Sequence, residues 1–197
     1  MMIRTLIDDL NAVARNDPAA TNRLEVLLFH TPLHAIIFYR IAHFFHDQLH
    51  LPLLPRFLSA LARCWTGVEI HPGARIGKPF FIDHGTGVVI GETAEIGDNC
   101  VMFHNVTLGG TGKHRGKRHP TLGDNVLIGT GATLLGPITV GSNTKVGANS
   151  LIRMHDVPSN CTAVGTPARL VKRDGRRVEE ELPRTKLTER SIPISED

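Results

Sequence analysis

The sequence predicts a mainly β protein, a parallel β-helix preceded by an α-helical segment, and three observations carry that prediction. From Ile70 to Leu170 an aliphatic residue returns every six positions, as in Leu122, Ile128, Leu134, Val140, Val146 and Ile152, with the beat running on through Pro158 and Val164. Two residues before most of these lies a smaller inward candidate, such as Ala74, Ala94, Cys100, Val106, Val126, Ala132 or Thr144. Gly often follows the aliphatic residue, as at Gly91, Gly97, Gly123, Gly129 and Gly141. A period of six fits neither a helix of 3.6 residues per turn nor an alternating strand. It fits a chain that turns a corner every six residues, three hexads to a coil, giving about five stacked coils. No coil buries its apolar edge alone, so stability comes from stacking on neighbours.

Residues 1–66 read as helical. Ile3, Leu6, Ile7, Leu10 and Val13 lie at helix spacing. Asp17-Pro18 reads as an N-cap with proline at the first helical position, opening a helix through Phe29. Thr31-Pro32 repeats the device before Leu33 to Phe45, and a last helix runs from Arg56 to about Trp65, ended by Gly67. This segment is too small to bury much alone, so it is expected to pack on the first coils, a neighbouring subunit, or both. Its histidines, His30, His34, His43, His46 and His50, include pairs at helix spacing. No carboxylate or cysteine completes a ligand set, so amphipathic-helix histidines are the preferred reading over a metal site. The expected organisation is a helical domain at 1–66, a β-helix at 67–170, and a charged tail at 171–197, extended or disordered.

Composition narrows the function classes. The 197 residues carry a formal charge of +3, which suits a small anionic ligand as well as RNA. One Trp and one Tyr argue against a stacking platform for single-stranded nucleic acid. Three widely spaced cysteines, Cys64, Cys100 and Cys161, argue for a reducing compartment and against a disulfide framework. The N-terminus carries acids where a signal peptide is apolar, and the apolar run from Val26 to Tyr39 is too short to span a bilayer. A cytoplasmic protein is the expectation.

The hexads break twice, and breaks in a repeat are where function concentrates. Ile82 to Ile90 are eight apart, around Asp83-His84-Gly85. Leu108 to Leu122 are fourteen apart, so eight residues bulge out in a loop with two histidines and the cations Lys113, Arg115, Lys117 and Arg118. His84 could be a general base or a surface turn histidine, and on Asp-His alone the second reading leads. The loop could be a solvated charge run or a phosphate-attracting segment whose glycines permit close approach. It lacks the order and context of a P-loop.

Three stretches carry a closer resemblance: Glu69-Ile70-His71-Pro72-Gly73-Ala74; Asp83-His84-Gly85-Thr86-Gly87-Val88-Val89-Ile90-Gly91-Glu92-Thr93-Ala94; and Val106-Thr107-Leu108-Gly109-Gly110-Thr111-Gly112-Lys113 with Arg118-His119-Pro120. Together they resemble the serine acetyltransferases of the hexapeptide-repeat acyltransferase superfamily, from about Asp8 to Leu170. The resemblance implies a left-handed parallel β-helix and transfer of acetyl from acetyl-CoA to the hydroxyl of L-serine in cysteine biosynthesis, directly and in a ternary complex. It implies no metal. By the family's pattern His84 is the catalytic base, Glu69 its acidic partner where an Asp is usual, and His119 a further active-site histidine. Asp17, Asp83, Arg118 and His119 fall at serine-binding positions. Gly110, Thr111, Lys113, Thr130, Lys145 and Ala148 fall to the acetyl-CoA site. The family also implies a site between neighbouring prisms, hence a trimer or a dimer of trimers, and feedback inhibition by L-cysteine. Docking of a C-terminal Ile into O-acetylserine sulfhydrylase is not expected, since the chain ends Ile194-Ser195-Glu196-Asp197. Two other readings stand beside it: a hexapeptide acyltransferase with a different hydroxyl or amine acceptor, and a zinc lyase of the γ-carbonic anhydrase type using His84, His104 and His119.

Overall fold

The computed structural model describes residues 2–112 and 115–185, with nothing said of the Met2 side chain. Four helices come first: α1 (Met2–Asn16), α2 (Arg23–Phe29), α3 (Thr31–Asp47) and α4 (Leu54–Thr66). The hexads then form three parallel sheets. Sheet A stacks β1 (Glu69–Ile70), β4 (Val89–Ile90), β7 (Thr107–Gly109), β10 (Thr133–Leu135) and β13 (Leu151–Arg153). Sheet B stacks β2 (Arg75–Ile76), β5 (Glu95–Ile96), β8 (Thr121–Leu122) and β11 (Thr139–Val140). Sheet C stacks β3 (Phe80–Ile82), β6 (Cys100–Met102), β9 (Leu127–Ile128), β12 (Lys145–Val146) and β14 (Cys161–Gly165). The result is a three-sided prism with edges C/A, A/B and B/C.

Register explains the two breaks. Ile70, Ile90, Leu108, Leu134 and Ile152 lie on one another across sheet A, at spacings of 20, 18, 26 and 18 residues. A regular coil is 18 residues, so the extra two and the extra eight are carried outside the ladder while the apolar stack stays in phase. Both inward positions are buried: Ile82, Met102, Leu108, Ile128 and Leu134 in the large set, Ala74, Val88, Ala94, Cys100, Val106 and Thr144 in the small set. Each such aliphatic side chain contributes roughly 1.5–3 kcal/mol by leaving water.

At the B/C edge an amide ladder supports the turns. Asn99, Asn125, Asn143 and Asn160 all have positive φ, and each side chain bonds the next, at 2.7, 3.2 and 3.2 Å. Asn is the residue that tolerates the left-handed region while offering its own amide to a neighbour.

The last coil departs from the sequence reading. Val140 bridges Val157 and Val146 pairs with Ala163, so the final coil is 17 residues and the beat slips by one. Val157 and Ala163 point inward, and Val164 is exposed. Leu170 does reach the core, as part of an antiparallel cap. Strands β15 (Ala168–Arg173) and β16 (Arg176–Glu181) fold back on β14, and Leu170 and Leu182 cover the end of the prism. A disordered tail from residue 171 is therefore corrected as far as Thr185. Arg169 pairs across the hairpin with Glu181, and Arg173 with Glu180. Residues 186–197, including the C-terminal Ile194-Ser195-Glu196-Asp197, lie outside the described residues.

The helical segment docks on the first coil. Asp9 is fully buried, pairs with Arg40 and accepts from the Phe80 amide at 2.9 Å. Arg40 also donates to the Ile76 and Gly77 carbonyls, and the Tyr39 hydroxyl donates to the Ala74 carbonyl at 2.7 Å. Ala12, Val13, Val26 and Leu33 pack on Phe81. The helix starts differ from expectation in three places: α4 begins at Leu54 rather than Arg56, and His30 rather than Thr31 caps α3, its Nδ1 accepting from the Leu33 amide at 3.2 Å. Residues 17–22 are non-helical, and Asn22 rather than Asp17 caps α2, accepting from the Glu25 amide at 2.9 Å. Asp17 instead accepts from the Ala19 amide at 2.8 Å, within its own turn. Among the described residues, no single helix is long and apolar enough to cross a membrane.

Candidate active site

The two extra residues after Ile82 build a tight turn at the C/A edge. The Gly85 amide donates to the Asp83 carbonyl at 2.7 Å and the Thr86 amide to the His84 carbonyl at 2.9 Å. His84 sits at φ 60, a left-handed conformation uncommon outside Gly and Asn, and 75% of its side chain is exposed. Gly85 is also left-handed, and a Cβ there would lie 2.9 Å from Val68 and 3.0 Å from Pro32. The turn is thus wedged against α3 and its imidazole is held outward. His84 Nε2 is 3.9 Å from Asp83 Oδ1, and its ring meets the His104 ring edge-on at 5.6 Å.

Asp17 arrives at the same edge from the helical segment. It lies 4.0 Å from His30 Nε2, and His30 stacks on Phe81, next to the Asp83 turn. Burial pushes the His30 imidazole below its ordinary value, against the opposing pull of Asp17 and Asp83. Asp17 and Asp83 thus both act on His30, and His84 follows Asp83 in the turn. Glu69 is different: within this chain it pairs with Arg63 at 2.6 Å rather than with His84.

The eight-residue insertion sits at the A/B edge, between β7 and β8. Its last residues fold back on Thr93 of the coil below. The amides of Arg118 and His119 donate to Thr93 Oγ1 at 3.0 and 3.1 Å, and Lys117 Nζ donates to the Thr93 carbonyl at 2.8 Å. His119 Nδ1 accepts from the Thr93 amide at 3.2 Å and lies 2.9 Å from its hydroxyl. Arg118 pairs with Glu92, which holds the Glu92 carboxyl below the usual carboxylate range. His119 is 8% exposed; burial first, then the Arg118 charge, lowers its pKa. Two of the loop's cations, Lys117 and Arg118, thus turn back to Glu95 and Glu92 on the prism, whereas Arg115 is exposed. Lys113 and His114 lie outside the described residues.

Glu92 and Thr93 organise this half of the site, and sequence reasoning assigned them no role. Their signals were membership of the Asp83–Ala94 stretch and position, in the corner directly beneath the long insertion.

Four of the cofactor candidates divide between the same two edges. Thr130 and Ala148 occupy C/A turns on successive coils above His84 and His104, as the backbone bonds from Gly131 to His104 and from Asn149 to Thr130 show. Gly110 and Thr111 belong to the A/B insertion, where the Thr111 hydroxyl donates to Met154 Sδ at 3.4 Å. Lys145 projects from β12 on sheet C and is exposed. Among the described residues of one chain, no three His, Cys, Asp or Glu side chains converge as a metal set, so zinc held by His84, His104 and His119 would need a second copy.

One prism edge thus bears Asp83 and His84, with Asp17 reaching it through His30, and a neighbouring edge bears Arg118 and His119. Residues 119–153 match the family model described as bacterial transferase hexapeptide (six repeats). A serine acetyltransferase of Synechococcus elongatus is 54% identical over 178 residues, spanning 90% of this chain and 72% of that protein. Among solved structures, soybean serine acetyltransferase complexed with serine has a TM-score of 0.81 at 47% identity, covering 86% of this chain and 69% of that one. The Brucella abortus enzyme in complex with coenzyme A has a TM-score of 0.81 at 40% identity, covering 87% and 68%. A serine acetyltransferase in complex with cysteine has a TM-score of 0.83 at 42% identity, covering 87% and 70%. With the prism, its two insertions and this similarity in hand, the chain belongs to the serine acetyltransferase family.

Proposed function

We propose that this protein transfers the acetyl group of acetyl-CoA to the hydroxyl of L-serine, with His84 as general base, in a site formed between the C/A edge of one copy and the A/B edge of the next. The observation that carries this reading is the separation of the two polar clusters. Asp17, Asp83 and His84 share one edge and Arg118 and His119 another, so one chain presents both halves without closing them on each other. Joining unlike edges is a heterologous contact, and on a three-sided prism a ring of three closes it.

The chemistry follows from the groups. The serine ammonium is matched by Asp17 and Asp83, its carboxylate by Arg118 in a charge-assisted pair. His84 takes the hydroxyl proton as the serine oxygen attacks the thioester carbon. The new C–O bond forms, the C–S bond breaks, and the proton passes to the departing CoA thiolate, all in a ternary complex. Glu69 is 40% exposed on its strand, and leaving Arg63 to meet His84 would fix that histidine's tautomer. The column of small C/A corner residues, Thr130 and Ala148, leaves room for the pantetheine arm beside Gly110 and Thr111 of the adjoining copy. Cysteine, which differs from serine by one atom, is expected to compete at the same position. Three free cysteines suit a cytoplasmic setting.

The test is thiol release from acetyl-CoA by the purified protein, with L-serine varied and then with L-cysteine added. Serine-dependent release, inhibited by cysteine, supports the reading. Release that prefers a sugar hydroxyl or an amine supports a different acceptor instead, and no release with any acceptor rules out acyl transfer.

A further inference from the structure

We propose that Thr93 is a positioning residue that holds His119 in the tautomer carrying its proton on Nε2, so that His119 and Arg118 both present N–H groups to a carboxylate. The hydroxyl of Thr93 accepts two amides, those of Arg118 and His119, which leaves its own proton for His119 Nδ1, 2.9 Å away. The Thr93 amide points at the same nitrogen from 3.2 Å. A ring nitrogen that receives two donors must be the bare one, and a neutral imidazole then keeps its single proton on the other nitrogen.

The remaining surroundings agree. Only a glycine at 91 admits the ring in this position: a Cβ there would lie 2.1 Å from Nε2 and 2.0 Å from Cδ2. Lys117 is tied to the Thr93 carbonyl, so the whole 117–119 segment hangs on one residue of the coil beneath. In this arrangement His119 cannot use Nδ1 as a base, and Nε2 is a donor. Its role is recognition, beside a guanidinium that also only donates. That the carboxylate belongs to the acceptor substrate rests on the proposed function; the tautomer does not.

The experiment is two-bond ¹H–¹⁵N spectroscopy of the full chain, labelled on histidine, at a pH where His119 is neutral. It is run on wild type, Thr93→Ser, Thr93→Val and Thr93→Ala, with the KM for serine and for acetyl-CoA measured in parallel. Wild type and Thr93→Ser should show His119 protonated on Nε2. Thr93→Val and Thr93→Ala should show a mixture with the Nδ1–H form, and a KM for serine raised about tenfold or more by the orphaned amides, at unchanged KM for acetyl-CoA. Rescue of both readouts by Ser identifies the hydroxyl rather than the bulk of the side chain. A wild-type His119 protonated on Nδ1 overturns the proposal without any variant. So does a Thr93→Ala protein whose spectrum and serine KM match wild type. If the tautomer shifts as stated but no protein turns over serine, the positioning role stands and the acceptor assignment falls.

Discussion

Replacing Arg118 by Ala removes the group assigned to the serine carboxylate, and the structure sets the size of the loss. A hydrogen-bonded charge pair to a bound ligand is worth about 1.5–3 kcal/mol. In the free chain Arg118 is already paired with Glu92, and the two side chains are 23% and 44% exposed. Giving up so exposed a pair costs at most about 1 kcal/mol. The net loss is therefore about 0.5–3 kcal/mol, or roughly two- to 160-fold in kcat/KM, expressed mainly as a higher KM for serine. The fold should tolerate the change, because Glu92 is left facing water rather than buried. The assay is thiol release at saturating acetyl-CoA with serine varied, next to a thermal melt of the same preparation. Arg118→Lys keeps the charge but not the planar fork, and should recover only part of the loss. An unchanged KM for serine in Arg118→Ala, with wild-type stability, would show that the carboxylate binds elsewhere.

His84→Ala should lower kcat by about 10²–10⁴-fold, the usual loss on removing a general base, while acetyl-CoA still binds by calorimetry; near-normal turnover would remove His84 as the base. His71 reports on how the helices dock. Burial, and then the Arg56 charge, push its imidazole down to about 4, from an ordinary value near 6.5. Between those pH values the unfolded chain takes up a proton that the folded chain does not. Stability should thus be fully present above about pH 6.5 and fall as the pH drops toward 4. Thermal melts across that window should show a shallower slope for His71→Gln, and an identical slope would mean that other groups carry the acid sensitivity.

The prism was legible because its determinant is periodic. An inward aliphatic residue recurs every six positions, and any residue count that broke the beat had to leave the ladder, which exposed the insertions around His84 and before Arg118. The slip after Ile152 was hidden by coincidence: Val164 is aliphatic and on the beat, yet the turn through Met154 is one residue short and Ala163 takes the inward place. The hairpin at residues 168–181 was hidden because its charges read as a solvated run until their partners across the strands are known. The Thr93 hub is a contact between residues about 25 apart at a corner, where no periodicity constrains the side chain. Asp17-Pro18 read as a helix start, yet Asp17 caps no helix; Asn22 caps α2, and the docking of α1 and α3 through Asp9 and Arg40 sets where Asp17 lies.

The central claim, that unlike edges of two copies make one site, is tested most directly by mixing two impaired proteins. His84→Ala lacks one half and Arg118→Ala impairs the other. When they are co-expressed in equal amounts in a closed ring, about a quarter of the sites pair an intact His84 edge with an intact Arg118 edge. Purified mixed assemblies, assayed at serine well below the wild-type KM, should recover at least about a quarter of wild-type turnover. Activity no greater than the average of the two parents would mean that each chain holds a whole site by itself.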